Sequence, residues 1–282
     1  MPIREYKPRT PALRGMTVLD FTDLTTSDPK KVKSLMSPLS KTGGRNHHGR
    51  MTSRHRGGRA KRMYRQVDFK RLKNDVPAVV EGIEYDPNRS ANIALVRYAD
   101  DEISYILAPE GLKIGTTVLS SAGRIEPNVG NSMPMGEMPQ GIMIHNIELN
   151  PGSGASLARS AGVGATLMAK EGKYVVVVLP SGEMRRVLST CRATVGQVGN
   201  LDYRLVTIAK AGRARHMGMR PKVRGIAMNP VDHPMGGGKK RRKGHHPQSP
   251  WGLYSKGKRT RSRSAKSNGM IIRRRKTKKK KS

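Results

Sequence analysis

The side chains best suited to chemistry in this sequence are histidines, and most of them stand among arginines and glycines. Asp232 and His233 are adjacent, in the pattern of a carboxylate beside a general-base imidazole. A working pair needs the carboxylate to face the ring, and neighbours on a loop flanked by Pro230 and Pro234 rarely do so. No catalytic residue is assigned on this basis. His47, His48 and His55, and again His245 and His246, invite a metal reading. No carboxylate or cysteine stands at a supporting interval, and the surrounding cations repel a metal ion, so neither a metal nor another cofactor is expected. Cys191 is the single cysteine, which excludes an internal disulfide and fits a buried small apolar residue better than a nucleophile. Ser160, in ARSAG, lacks the glycine that a hydrolase elbow needs two residues upstream; Ala158 stands there.

Phosphate chemistry comes next. In PGSGASLARSAGVGA, Pro151 to Ala165, Gly152 and Gly154 are followed by Leu157 rather than the third glycine of a dinucleotide fingerprint. GLYSKGKR, Gly252 to Arg259, ends in Arg259 where a P-loop carries its magnesium-binding hydroxyl, and no apolar strand precedes it. RNA recognition fits better. The segment from Thr42 to Arg71 combines closely spaced arginines with the pairs Gly43-Gly44 and Gly57-Gly58 and the rings Tyr64 and Phe69. Guanidinium forks match phosphate oxygens, glycines let backbone approach a phosphate, and flat rings stack on unpaired bases. A solvated basic tail needs neither the glycine pairs nor the rings. The contacts expected in this first segment are Arg45, His47, Arg50, Arg54, His55, Arg56, Arg59, Lys61, Arg62, Tyr64, Arg65, Lys70 and Arg71. In the C-terminal part they are Arg213, Arg215, Arg220, Lys222, Arg224, Lys239, Lys240, Arg241, Trp251, Lys256, Lys258 and Arg259. Trp251, the only tryptophan, lies among prolines, where it stacks on a base or wedges the tail against the folded part.

The charge map shows what must position these groups. The 282 residues carry 55 Lys plus Arg against 20 Asp plus Glu, a net charge of +35 that requires a polyanionic partner. Residues 1–75 hold a net +13, residues 76–200 a net −2, and residues 201–282 a net +24. A nearly neutral centre therefore folds, and two cationic ends bind. The ends lack the apolar surface to offset an ordering cost of about 1 to 2 kcal/mol per residue, a deficit that counterion release on RNA can cover.

Within the centre, strand signals are short and frequent. Ile93–Tyr98 and Ile103–Leu107 alternate around Ala99–Glu102 and predict a hairpin, preceded by a strand over Val76–Tyr85. A second series runs Ile142–Leu149, Ala165–Lys170, Tyr174–Leu179 and Met184–Leu188, with breaks at Pro151–Gly154, Glu171-Gly172 and Ser181-Gly182. Such spacing predicts an all-β protein of two small antiparallel barrels or sandwiches, divided at the Pro/Gly/Met-rich stretch Pro127–Gly141. The expected division is a basic extension over 1–75, a first barrel over 76–126, a second over 127–200 and a basic extension over 201–282. The longest purely apolar run, Val175 to Leu179, is too short to span a bilayer, and the opening MPIREYKPRTP has no secretory character.

Several long, irregular strings carry a more specific signal. GGRNHHGRMTSRHRGG, YRQVDFKR, IEYDPNRSANIALVRYADDEISYILAPEGL, NPGSGASLARSAG, RPKVRGIAMNPVDHPMGGG and PWGLYSKGKRTR resemble, in order, the bacterial-type L-two family of the large ribosomal subunit, from about Tyr6 to the basic terminus. The resemblance implies an OB-fold barrel followed by an SH3-like barrel, with long basic extensions threaded into large-subunit (23S-type) rRNA. It further implies a cytoplasmic, ribosome-bound structural protein with neighbouring ribosomal proteins and the small subunit as partners, tRNA indirectly, and no membrane. The loop of Asp232, His233, Pro234, Gly236, Gly237 and Gly238 then lies toward the peptidyl-transferase region. Four sites depart from the family pattern. Met235 replaces a histidine, Lys239-Lys240 follow the glycines where acid is common, Arg59-Ala60 replaces Gly-His, and His216 replaces Trp. An enzyme built on Asp232 and His233, and a free RNA chaperone or DNA-compacting protein, are the competing classes. Removing residues 239–282 deletes 19 basic and no acidic side chains. The rRNA affinity of the truncated chain is expected to fall, with a salt slope shallower by about 0.7 to 0.9 for every phosphate that is no longer neutralised, as read by filter binding across salt.

Overall fold

The computed structural model describes residues 3–22, 24–25, 32–238 and 246–275. These fall into two units, one within residues 1–40, 61–209 and 269–282, the other within residues 41–60 and 210–268.

The first unit is all-β, with an OB-fold barrel followed by an SH3-like barrel. Strands β1 (Ile3–Glu5) and β2 (Thr17–Leu19) pair around the single turn α1 (Pro11–Arg14), and β3 (Met36–Pro38) pairs with β4 (Met63–Arg65). The first barrel follows as β5 (Ala78–Glu84), β6 (Ile93–Tyr98), β7 (Ile103–Leu107) and β8 (Thr117–Val118), in sheet order β7-β6-β5-β8. The expected hairpin forms with the residues the alternation marks, Arg97 opposite Ile103 and Ile93 opposite Leu107. β6 is buried on both faces, which explains its nearly continuous apolar sequence. Its Ala94, Val96 and Tyr98 face the barrel core with Val80, Ile106 and Val118. Its Ile93 and Leu95, with Tyr105 of β7, pack against Val32, Leu35, Met36 and Val67. Part of the N-terminal segment is thus built onto the outer face of the first barrel.

The second sheet uses β9 (Ser132–Pro134), β10 (Met143–His145), β13 (Ala165–Glu171), β14 (Tyr174–Val178), β15 (Met184–Leu188), β16 (Arg192–Val195) and β17 (Ile271–Arg273), while β11 (Ile147–Glu148) and β12 (Ala155–Leu157) form a separate pair. The strand expected over Ile142–Leu149 is two strands, because Asn146 takes φ +52 and its N–H leaves the ladder for the Ala158 carbonyl at 3.0 Å. Asparagine tolerates that left-handed geometry, so the apolar alternation runs unbroken through a bend. Met133, Met135 and Met138, from the stretch Pro127–Gly141, are fully buried in the second core with Ile144, Leu167, Val175, Val177 and Cys191. Burial pushes the Cys191 thiol up to about 11, which suits packing and opposes nucleophilic use.

The second unit is different in kind. Its one α-helix among the described residues is the six-residue α2 (Ala211–His216), and its only buried described residues are Gly218, His233 and Gly236. No helix among the described residues is long and apolar enough to cross a membrane.

His145 is 1% exposed in the first unit, its Nδ1–H donating to the Gly196 carbonyl at 2.9 Å, while Nε2 has no partner. Burial, with a smaller repulsion from Arg71, pushes its pKa down to about 4. The unfolded chain binds this proton near pH 6.5 and the folded chain near 4, so stability is full above 6.5 and falls as pH drops toward 4. Chemical denaturation at pH 7 and pH 4 is expected to show a loss on the order of 3 kcal/mol that is absent from His145→Asn, whose amide can keep the bond to Gly196.

Candidate RNA interface

In the second unit the two basic ends of the sequence meet. The N–H of Gly57 donates to the Gly218 carbonyl at 2.9 Å, that of Ala60 to His216 at 2.9 Å, and that of Arg220 to His55 at 3.0 Å. Nδ1–H of His55 donates to the Pro221 carbonyl at 2.9 Å, across 166 residues of sequence. A ribbon of residues 55–60 against 216–220 results, and its closeness explains the glycines. A Cβ on Gly58 would stand 2.8 Å from the Arg215 guanidinium, which donates to the Gly57 carbonyl at 3.3 Å. Just before the ribbon, Gly44 accepts from Thr52 and Ser53, and Asn46 Oδ1 accepts the N–H groups of His48 and Arg50. This hairpin holds Arg45, His47 and Arg50 exposed at its surface. Two departures from the family pattern face each other, since Ala60 donates its N–H to His216.

The span of this unit carries 23 Lys and Arg against one acid, Asp232. Arg54, Arg56, Arg220, Lys222, Arg224, Lys256, Lys258 and Arg259 are exposed, while Arg59, Arg213 and Arg215 are half-buried. Trp251 is 72% exposed, with the Arg54 guanidinium 4.9 Å from its ring centre. Lys239, Lys240 and Arg241, and His245, lie outside the described residues.

His233 is the one buried side chain among the described residues of the unit, 7% exposed. Its Nδ1 accepts the Met235 N–H at 3.1 Å, which places the ring proton on Nε2, and it is not met by the exposed Asp232. The ring lies against Gly225, where a Cβ would come within 2.4 to 2.6 Å of three ring atoms. Around it, Gly236 donates to the His233 carbonyl at 2.8 Å and Gly237 to Met228 at 2.9 Å, and a Cβ on Gly236 would strike Asn229 and Met228 backbone. Pro234 and Gly238 are exposed at its edge. The third described departure joins this network, for Met235 Sδ accepts the Gln248 N–H at 3.3 Å. Among the described residues no group of three histidines, cysteines or carboxylates could hold a metal ion.

The first unit carries a second cationic site. Asp86, fully buried, accepts from Arg89 at 2.6 Å and from the Asn88 backbone at 2.9 Å, with Arg65 at 3.7 Å. Arg62 donates to the adjoining Pro87 carbonyl. Two guanidinium groups lie over Phe69, Arg159 at 4.4 Å and Arg89 at 5.4 Å from its ring centre. Lys61 and Lys70 are exposed and Tyr64 is half-buried. A buried carboxylate thus anchors guanidinium groups beside an aromatic ring, residue types that can meet phosphates and bases. Arg89 and Arg159 escape sequence reasoning because they sit in the near-neutral centre. Their signal is the short strings DPNRS and ARSAG, arginines beside turn residues.

Arg71 leaves the set of expected RNA contacts. It is 3% exposed, with φ +52, and its guanidinium donates to Ser120 Oγ at 2.9 Å and to the Gly130 carbonyl at 3.4 Å. Its charge serves the interior, and burial lowers its pKa.

A basic protein with an all-β unit and cationic surfaces on each of its two units has the character of a nucleic-acid-binding scaffold. Residues 32–120 match the family model of Ribosomal Proteins L2, RNA binding N-terminal domain, and residues 128–252 match that of Ribosomal Proteins L2, C-terminal domain. The chain belongs to the ribosomal protein L2 family, and is a large-subunit, RNA-binding structural protein of the ribosome. Arg89→Lys with Arg159→Lys keeps the charge but removes both planar guanidinium groups over Phe69. The double variant is expected to bind large-subunit rRNA about tenfold more weakly at an unchanged salt slope, measured by filter binding.

Proposed function

We propose that the chain positions rRNA: it binds 23S-type rRNA through both cationic surfaces, supports subunit association and tRNA binding, and organises the peptidyl-transferase region without doing chemistry itself. Its working place on this reading is the cytoplasmic ribosome, in contact with neighbouring ribosomal proteins, with the small subunit at the inter-subunit face and, indirectly, with tRNA. The single observation that carries the proposal is the ribbon between residues 55–60 and 216–220, which joins both basic ends into one surface of nearly uniform sign. Counterion release along such a surface gives affinity, and the hydrogen-bonded hairpin, ribbon and glycine loop give it shape.

The geometry at His233 favours positioning over proton transfer. A general base offers a lone pair to the substrate, whereas Nδ1 here is taken by Met235 N–H and the ring is packed on Gly225. What the histidine does is hold the turn of residues 225–237 in one shape. His233→Ala is expected to impair assembly of the large subunit, while correctly assembled particles keep peptide-transfer rates within about tenfold. Single-turnover transfer across pH, on particles shown by nuclease footprinting to have normal rRNA structure, reads this directly. A loss of about 100-fold or more with a vanished pH inflection would restore the catalytic reading.

A further inference from the structure

The RNA-binding reading leaves open what the exposed indole of Trp251 does, whether it stacks on a base or packs against protein. Pro250 and Trp251 are the central residues of a turn closed by the Gly252 N–H on the Ser249 carbonyl at 3.0 Å. Ser249 and Leu253 also pair at 2.7 Å, Ser255 donates to Pro247 at 2.8 Å, and Gln248 bridges to Tyr254. Gly252 takes φ +77, which lets the chain reverse so tightly. Trp251 therefore stands at the apex of a short hydrogen-bonded hairpin, and it remains 72% exposed. Folding has left one of the largest apolar side chains uncovered at a hydrogen-bonded turn.

Two neighbours indicate what covers it. The Arg54 guanidinium stands 4.9 Å from the ring centre, so a cation already marks one side of the indole. On the legs of the hairpin, His246 and Tyr254 form a tilted pair with ring centres 4.9 Å apart, and Tyr254 is itself 57% exposed. Flat rings interleaved with exposed cations match the alternation of bases and phosphates along a strand of nucleic acid.

We infer that Trp251, with Arg54 beside it, is a stacking platform for one unpaired nucleobase of the bound RNA. This rests on the RNA-binding reading and adds the kind of nucleotide recognised. A base in an A-form helix has both faces covered by its neighbours, and the deep major groove admits no indole; a looped or bulged base has a face to give. The guanidinium is placed to take the phosphate of the same nucleotide or to extend the stack. Protein cover for the indole, from a neighbouring chain, is the rival account and is separated by using RNA alone.

Trp251 is the only tryptophan, so intrinsic fluorescence of the full chain reports this position and no other. The full chain is titrated with a large-subunit rRNA transcript, following fluorescence and filter binding in parallel at several salt concentrations. The expected result is a fluorescence quench that saturates with the binding isotherm. Trp251→Ala should weaken binding about 10- to 100-fold, with Trp251→Phe recovering most of it. Because the indole is uncharged, the salt slope of both variants should equal that of the parent chain. Tight binding with unchanged fluorescence and no effect of Trp251→Ala would overturn the platform and leave RNA binding standing. Failure of the parent chain to bind the transcript would remove the RNA-binding reading, and the platform with it. Circular dichroism identical among the three chains shows that the exposed site, not the fold, was altered.

Discussion

The first unit depends on a cation held among backbone carbonyls. Arg192 opens β16 in the second barrel, and its guanidinium donates to the Arg71 carbonyl at 2.6 Å, to the Ser121 carbonyl at 2.6 Å and to Asn74 Oδ1. Segments up to 121 residues apart in sequence converge on this one planar group. Its own N–H goes to Glu148, whose carboxylate also accepts Gly154 and Gly152 and so ties in the turn before β12. Burial makes the charge costly and lowers the Arg192 pKa, with Glu148 opposing that shift. The charge persists because each carbonyl it serves would be orphaned without it, at about 1 to 3 kcal/mol apiece. Arg71 lies in the same seam, with its side chain turned to Ser120 and Gly130 while its carbonyl receives Arg192. Lysine offers no fork of fixed geometry, so neither position is open to a charge-conserving exchange.

The second unit obeys the opposite constraint. One acid against 23 basic side chains cannot be balanced internally, and a single buried imidazole is no hydrophobic core. What holds the described residues is backbone hydrogen bonding across the ribbon and around the turn of residues 225–237. Such bonds contribute only about 1 kcal/mol each when water competes for the same groups. Self-repulsion works against them until phosphates enter. A polyanion that binds only the folded arrangement stabilises it by mass action, so the shape of this unit and its occupancy are one equilibrium.

How much of this was legible follows from which signals are local. The hairpin of β6 and β7 could be read residue by residue, because two short apolar runs on either side of a polar turn leave one register. β9 and β16 could not: three residues with methionine and proline, and four that open on an arginine, are too short to show a period, and their pairing joins segments far apart in sequence. The cationic ends were legible from composition, but their pairing was not, because no property of residues 55–60 names residues 216–220. Arg71 marks the same limit, since arginine count cannot tell a solvent-facing fork from one spent on buried carbonyls. Phe69 was visible as a ring among cations, yet its guanidinium partners Arg89 and Arg159 come from loops that only the folded barrels bring near.

The departures from the family pattern point to where shape is decided. Ala60 and His216 touch through the backbone, an N–H to a carbonyl, so side chains at both positions can change while the ribbon stays closed. Met235 offers a soft sulfur acceptor at its position, and the Gln248 N–H donates to it at 3.3 Å. Glycines allow no such freedom. At Gly44, Gly225 and Gly236 an added Cβ meets a carbonyl or a ring at 2.0 to 2.6 Å, distances that no small relaxation removes. Exposed cations set how strongly the surface draws RNA, and they can be retuned one at a time because their effect is summed over many phosphates. The close approaches at glycine set where each cation stands. Affinity and geometry thus reside in different atoms of the same short segments, which lets the charge of this surface vary without moving the loop that His233 holds.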